Sequence, residues 1–375
     1  MISINKTDII IVGGGPAGIS TWLHLNKLAP DLASKTILIE KERYPRDKLC
    51  GGGLGGWSEY VLNKLDIKLN IPFLPIDDTE FVYGDDTYVL HQKGSFRMVQ
   101  RIDFDNLLAK TAIKRGLNLR ENESFLDLKR TGNGLSVKTT KGIYYTKILI
   151  GADGSLSKVC KKIKTSTRSY LAPTLEIFNP SQPEFDSEYE NKKITVDMTP
   201  IKENLQGYLW HVPFLKDNIP FIGHGLVDFR IYKNKPKADL KNIFNKALQN
   251  RKIQSSPNSW KSHPIKWYSP NEKISENNIL LVGDASGVDP AFGGGIHFSL
   301  SYGDIASKEI INAYNNEDFS FDSYKENINS HLIGKFLYKC TNVSLALYDN
   351  KINPIEAAKQ IFTIKKSINS RKEPN

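Results

Sequence analysis

The sequence predicts an α/β chain in two interleaved parts: a parallel βαβ domain of doubly wound type, and an antiparallel sheet inserted into it, followed by C-terminal helices. Three observations predict this. An apolar strand runs into a glycine-rich turn and a helix at the N-terminus. A second apolar strand ending in Gly-Asp appears near residue 280. Between them, residues 165 to about 270 are rich in Pro and aromatics and lack helical periodicity.

The first element is DIIIVGGGPAG, residues 8–18. Gly13 allows a tight turn, Gly15 lets backbone approach a pyrophosphate, and Gly18 lets helix pack on strand. Pro16 and Ala17, inside the motif, are expected to border the cofactor, and the helix reads as Ile19 to Lys27. Its N-terminus offers free N–H groups and partial positive charge to phosphates. The second strand, Thr36 to Ile39, leads to Glu40 and Lys41. Glu40 stands about 20 residues past the motif, where an acid accepts hydrogen bonds from a ribose. Strand, turn, helix and acid together predict dinucleotide binding in a Rossmann-type domain.

Further along, alternating stretches at residues 80–84 and 87–91 read as antiparallel strands. Residues 101–112 read as a helix with Asp103 as N-cap. Ser124 to Arg130 and Leu135 to Thr140 form a strand pair around Gly132-Asn133-Gly134. Lys147 to Gly154 is a buried strand ending in Asp153-Gly154. One helix, Lys237 to Asn250, interrupts the second domain, and the pattern from Ser299 onward is helical. The expected division is 1–60, 96–165 and 271–310 for the nucleotide-binding domain. Residues 61–95 and 166–270 form the substrate domain, and 311–375 the helical region.

Composition narrows the function. With 375 residues the chain is long enough for two domains. Three cysteines, Cys50, Cys160 and Cys340, form no disulfide framework and no metal-ligand spacing, so no metal is expected. A reduced, cytoplasmic compartment follows. No apolar run reaches the ~18–20 residues that span a bilayer, and the start lacks the pattern of a signal peptide. The net charge of +10 favours anionic partners. No basic run is interleaved with aromatics, so no nucleic acid is expected. Near the C-terminus, Asn353, Pro354 and Glu356 read as N-cap, N1 and N3 of a helix. It carries Ile361, Ile364 and Ile368 beside Lys365, Lys366, Arg371 and Lys372. That face either packs on its own domain or rests peripherally on an anionic membrane.

The late strand ends in Gly283-Asp284, an acid suited to a polyol chain, and is followed by Asp289-Pro290 and Gly293-Gly294-Gly295-Ile296. Those glycines let backbone lie flat against a ring and open a helix toward it. Gly13 to Gly18, Asp153-Gly154 and Gly283-Asp284, in that order, resemble FAD-dependent oxidoreductases of the p-hydroxybenzoate-hydroxylase type. The resemblance implies FAD, Arg101 near the flavin or its diphosphate, Phe125 offering backbone to the adenine, and Pro290 shaping the flavin pocket.

Pro45, Lys48, Cys50-Gly51-Gly52 and Leu54 are similar to the P-x-x-K-x-C-G-G-x-L segment of the geranylgeranyl reductase branch. There the loop brings Cys50 to the flavin side of the substrate cavity, as proton donor or as part of the wall. Tyr208, Trp210 and Pro213 resemble that branch's Y-x-W-x-F-P motif, with Val212 in place of Phe. Strand alternation puts Tyr208, Trp210 and Val212 on one face, and His297 is expected near the flavin edge and substrate.

The resemblance implies reduction of C=C bonds in an apolar, isoprenoid-like substrate, with NAD(P)H or a protein supplying electrons, and the net charge of +10 suits an anionic head group on that substrate. An oxygen-dependent monooxygenase or halogenase is the alternative, and a non-catalytic flavin scaffold a remoter one. The residues do not name a proton donor.

Overall fold

The computed structural model describes residues 4–163 and 171–369. Strand β1, Ile9–Val12, enters α1, Pro16–Leu28, and returns as β2, Thr36–Ile39. Ile9, Ile10 and Ile11 are 0 % exposed, as expected for a parallel strand covered on both faces. The helix starts at Pro16, earlier than the apolar periodicity suggested, because proline at the first helical position needs no N–H partner.

The chain then forms β3, Gly53–Gly55, the helix Gly56–Lys64, and two long strands, β4, Phe73–Tyr83, and β5, Asp86–Val99. Helix α2 is Arg101–Lys114. Its N-cap is Gln100, and Asp103 lies in the first turn instead of capping it. An acid there still meets the positive helix end. A hairpin, Phe125–Thr131 and Gly134–Thr139, turns where the glycines predicted. Strand β6, Ile148–Gly151, returns to the parallel sheet.

The second sheet takes β7, Thr174–Pro180, β8, Lys193–Asp197, β9, Gly207–Lys216, and β10, Ile219–Asp228. The helix Leu240–Asn250 begins after Asp239, whose side chain accepts from the Asn242 N–H, so it starts later than Lys237. Strand β11, Ile279–Leu281, precedes α3, Gly295–Asn316, then Tyr324–Ser330, α4, Leu332–Tyr348, and α5, Pro354–Asn369.

The parallel sheet has the order Ser275–Glu276, β11, β6, β1, β2, Asn118–Arg120, with only the Ser275–Glu276 edge antiparallel. The large sheet runs β7-β10-β9-β8-β4-β5-β3. It is antiparallel apart from β8, which pairs parallel to β4. Strand β5 passes unbroken through residues 95 and 96 and β3 joins the same sheet, so the expected boundaries at 60 and 95 fall within this unit. Likewise α3 continues past 310. The boundary at 165 lies outside the described residues.

The C-terminal helix begins as its sequence predicts, with Asn353 accepting from the Ile355 N–H at 2.8 Å. Ile361 and Ile364, partly buried, pack against the cluster that holds Phe81, Tyr208 and Tyr348. The Ile368 side chain, Arg371 and Lys372 lie outside the described residues. No described helix is long and apolar enough to cross a membrane.

Candidate functional site

A cavity of about 1150 Å³ lies between the parallel sheet, the large sheet and α5. Its nucleotide side is lined by Gly13, Gly15, Pro16, Ala17, Glu40, Lys41, Phe125, Asp153, Asp284, Pro290, Gly293, Gly294, Gly295 and Ile296. Gly18 is not on the wall and acts from behind it. A Cβ on Gly18 would lie 2.0 Å from the Gly13 carbonyl oxygen, while one on Gly15 would meet nothing within 4 Å. The first glycine contact sets helix against turn; the second leaves open space for phosphate oxygens. The N-termini of α1 and α3 both border the cavity, supplying unpaired N–H groups.

Glu40 is buried at the end of β2. Its Oε2 accepts the Gly14 N–H at 2.7 Å and its Oε1 the Glu42 N–H at 3.1 Å. Each oxygen retains a further lone pair. Asp153 lines the cavity too, but its carboxylate is bound by the Ser157 hydroxyl at 2.5 Å and the Lys158 and Val159 N–H groups at 2.6 and 3.2 Å. Its side chain therefore caps the local turn. Asp289 does the same before α3: Oδ1 accepts from Phe292 and Gly293, each at 3.1 Å. Burial pushes its pKa up to about 6.

Arg101 borders the cavity while 9 % exposed. Its guanidinium grips Asp105 through two bonds of 2.7 and 2.8 Å, and adjoins the Cys50 thiol. Arg46, which sequence reasoning passed over, reaches the same Asp105 at 3.2 Å and Glu40 at 3.6 Å. This four-member cluster of Glu40, Arg46, Asp105 and Arg101 braces the nucleotide side. One signal was available: Asp105 lies four residues after Arg101 on the same helix.

Cys50 is half-buried on the loop that enters the cavity, and its sulfur accepts the Gly52 N–H at 3.4 Å. Gly52 has φ +76°, and a Cβ there would sit 1.9 Å from the Val99 carbonyl oxygen. The loop can lie this close to β5 only with glycine. A Cβ on Gly51 would lie 3.9 Å from the Val212 Cγ1. On the same loop Lys48 is partly buried, which pushes its amine down to about 8 against the pull of Asp284.

Tyr208, Trp210 and Val212 all line the cavity, as alternation on one strand requires. Phe81, Val196, Phe292, Ile361 and Phe362 extend this apolar wall under α5. His297 is also on the wall. Burial holds its imidazole down near 3, and its Nδ1 has no hydrogen-bond partner. Two further groups reach the wall that the sequence does not place there: Lys365, expected on the packing or membrane face of the C-terminal helix, and Glu176, which belongs to no motif. Lys365 of α5 points inward over the Phe96 ring at 4.9 Å, its amine pulled down by burial. Glu176 of β7 faces the same space, and burial raises its carboxyl to about 7. Cys160 and Cys340 take no part in the wall. Among the described residues no group of acids, histidines and cysteines is arranged to hold a metal.

The FAD binding domain family matches residues 6–326. Digeranylgeranylglycerophospholipid reductase 3 of Methanosphaera stadtmanae is 26% identical over 359 residues, covering 89% of this chain and 85% of that protein. A geranylgeranyl bacteriochlorophyll reductase-like protein from Thermoplasma acidophilum has the same fold, with TM-score 0.73 and 20% identity over 96% of this chain and 92% of that one. A myxobacterial chondrochloren halogenase, a FAD-dependent enzyme, shares it at TM-score 0.66 and 18% identity over 99% and 92%.

Proposed function

The chain belongs to the FAD binding domain family, and from that premise we propose that it reduces carbon–carbon double bonds in an isoprenoid or similarly apolar substrate. The cofactor is FAD. Gly13, Gly15, the N-termini of α1 and α3, Glu40 and Asp284 are the groups suited to hold it. FAD in its reduced form supplies a hydride equivalent at this site.

One observation carries the reading. The cavity continues past the nucleotide side into an apolar chamber walled by Phe81, Val196, Tyr208, Trp210, Val212, Ile361 and Phe362. A space of that size and lining suits a long hydrocarbon better than a small polar acceptor. The reductase from Methanosphaera stadtmanae, which has a lipid in its name, supports it. The Cys50 loop lines the cavity, and Cys50 and Gly51 would border the reacting carbons. Arg46, Lys48, Lys261 and Lys365 line the cavity and make an anionic head group a fitting part of the substrate. Electrons would come from NAD(P)H bound transiently or from a protein donor.

A second reading, oxygen-dependent hydroxylation or halogenation, is favoured by Lys48, an amine brought down to about 8 inside the cavity. An amine partly neutral near physiological pH can act on an oxidised halogen or as a base. Product mass separates the readings. A gain of two hydrogens without oxygen consumption supports the reductase; incorporation of oxygen or halogen supports the second.

A further inference from the structure

Glu176, Gly225, Trp210, Val196 and Phe81 form one cross-strand row. Glu176 pairs with Gly225, Gly225 with Trp210, Trp210 with Val196, and Val196 with Phe81. Directly opposed residues share a sheet face, and this face is the wall of the cavity. Glu176 is the one acid in the row.

Gly225 explains how Trp210 reaches it. A Cβ on Gly225 would lie 2.1 Å from the Trp210 ring. With no side chain there, the indole crosses the intervening strand and its N–H serves the Glu176 carboxyl group. Glu176 is 4 % exposed and its Oε1 has no hydrogen-bond partner. The charged groups acting on it are Lys261, whose backbone bridges to Glu176 at 2.8 and 2.9 Å, and Lys48. Neither ammonium forms an ion pair with it among the described contacts. A buried carboxyl without an ion pair lowers stability, and an amide of the same shape would pack equally well.

We propose that Glu176 is the general acid of this cavity, held by Trp210 and presenting a proton to the bound substrate. The assignment rests on the alkene-reductase reading. One alkene carbon takes the hydride equivalent from the reduced cofactor. At the other carbon the π pair forms a new C–H bond with the Glu176 proton, the O–H bond breaks, and the carboxylate regains a proton from solvent. Burial raises the carboxyl to about 7, against the opposing effects of Trp210, Lys261 and Lys48. The acid form is therefore populated at neutral pH.

The test uses FAD-loaded wild type, Glu176→Gln, Glu176→Asp and Trp210→Phe. With an alkene that wild type reduces anaerobically, Glu176→Gln should slow single-turnover transfer about 100-fold or more. Glu176→Asp should restore part of the rate, and both should keep FAD content and dithionite reduction unchanged. Independently, the tryptophan fluorescence difference between wild type and Trp210→Phe should titrate near pH 7, and Glu176→Gln should abolish that step. Transfer at the wild-type rate in Glu176→Gln, or a fluorescence step unaffected by it, overturns the assignment. A wild type inert toward every alkene, with the fluorescence step intact and lost in Glu176→Gln, overturns the alkene reading and retains Glu176 as the cavity's acid.

Discussion

Gly283 and Ala17 meet where the last strand of the parallel sheet turns beneath the first helix: a Cβ on Gly283 would sit 2.5 Å from the Ala17 Cβ, and Gly283 has φ +59°. The late Gly-Asp element is thereby locked to the N-terminal glycine turn, and Asp284 is held beside the cavity. Gly283→Ala forces both strain and a clash. Left-handed strain alone costs about 1–3 kcal/mol. The variant should melt at lower temperature and release FAD more readily, read by flavin fluorescence after gel filtration. Retention of FAD at wild-type affinity would show that the two motifs are not coupled.

Removing Arg101 leaves Asp105 buried with Arg46 as its remaining cation. Breaking a buried ion pair from one side costs about 3–5 kcal/mol. Arg101→Ala should lower the urea midpoint accordingly, and Arg101→Lys, which cannot bond in two places in the same plane, should recover only part. An unchanged midpoint would show that the cluster contributes little to the fold.

Behind the large sheet, His211 and His224 share a hydrogen bond of 2.8 Å between their Nδ1 atoms. Burial, then Arg251, pushes His224 down to about 3 and His211 well below its usual value. Unfolded, each titrates near 6.5. The fold therefore binds fewer protons, so stability is complete above pH 6.5 and falls as pH drops from there toward 3. The slope reaches about 1.4 kcal/mol per pH unit for each imidazole. Urea midpoints between pH 8 and 5 should decline in wild type and decline less steeply in His224→Gln, which leaves His211 as the one imidazole of the pair. Parallel curves would contradict the assignment.

Glu176 gives the opposite sign. Its carboxyl rises from 4.5 to about 7 on folding, so the fold binds more protons than the unfolded chain. The stability this contributes is present below pH 4.5 and is lost as pH rises through 7. It amounts to about 3 kcal/mol at most as an order of magnitude. Glu176→Gln should gain on wild type in melting temperature between pH 5 and pH 8. An equal difference at both pH values would place the carboxyl at its ordinary value.

The nucleotide side was legible because its constraints are local. Gly18 answers to the Gly13 carbonyl oxygen within the same turn, Gly13 to its own φ of +104°, and Glu40 to the length of one βαβ unit. Tyr208, Trp210 and Val212 share a face through alternation alone. Arg46 and Glu176 were not legible for the same reason in reverse. Arg46 matters because a loop folds back onto Glu40 and Asp105. Glu176 meets Trp210 only because β7, β10 and β9 pair in one register with a glycine between them. Register across three strands is set by the whole sheet, and nothing near residue 176 announces it. The inward turn of Lys365 likewise depends on where α5 settles after the rest has packed.

The central claim is that electrons leave this protein's flavin for a carbon–carbon double bond. The most direct measurement is anaerobic: reduce the bound FAD, remove the reductant, add an unsaturated isoprenoid diphosphate or phospholipid, and follow the oxidised flavin band. The band should return without oxygen, and the product should gain two hydrogens. Flavin that stays reduced with every alkene until oxygen is admitted would contradict the claim.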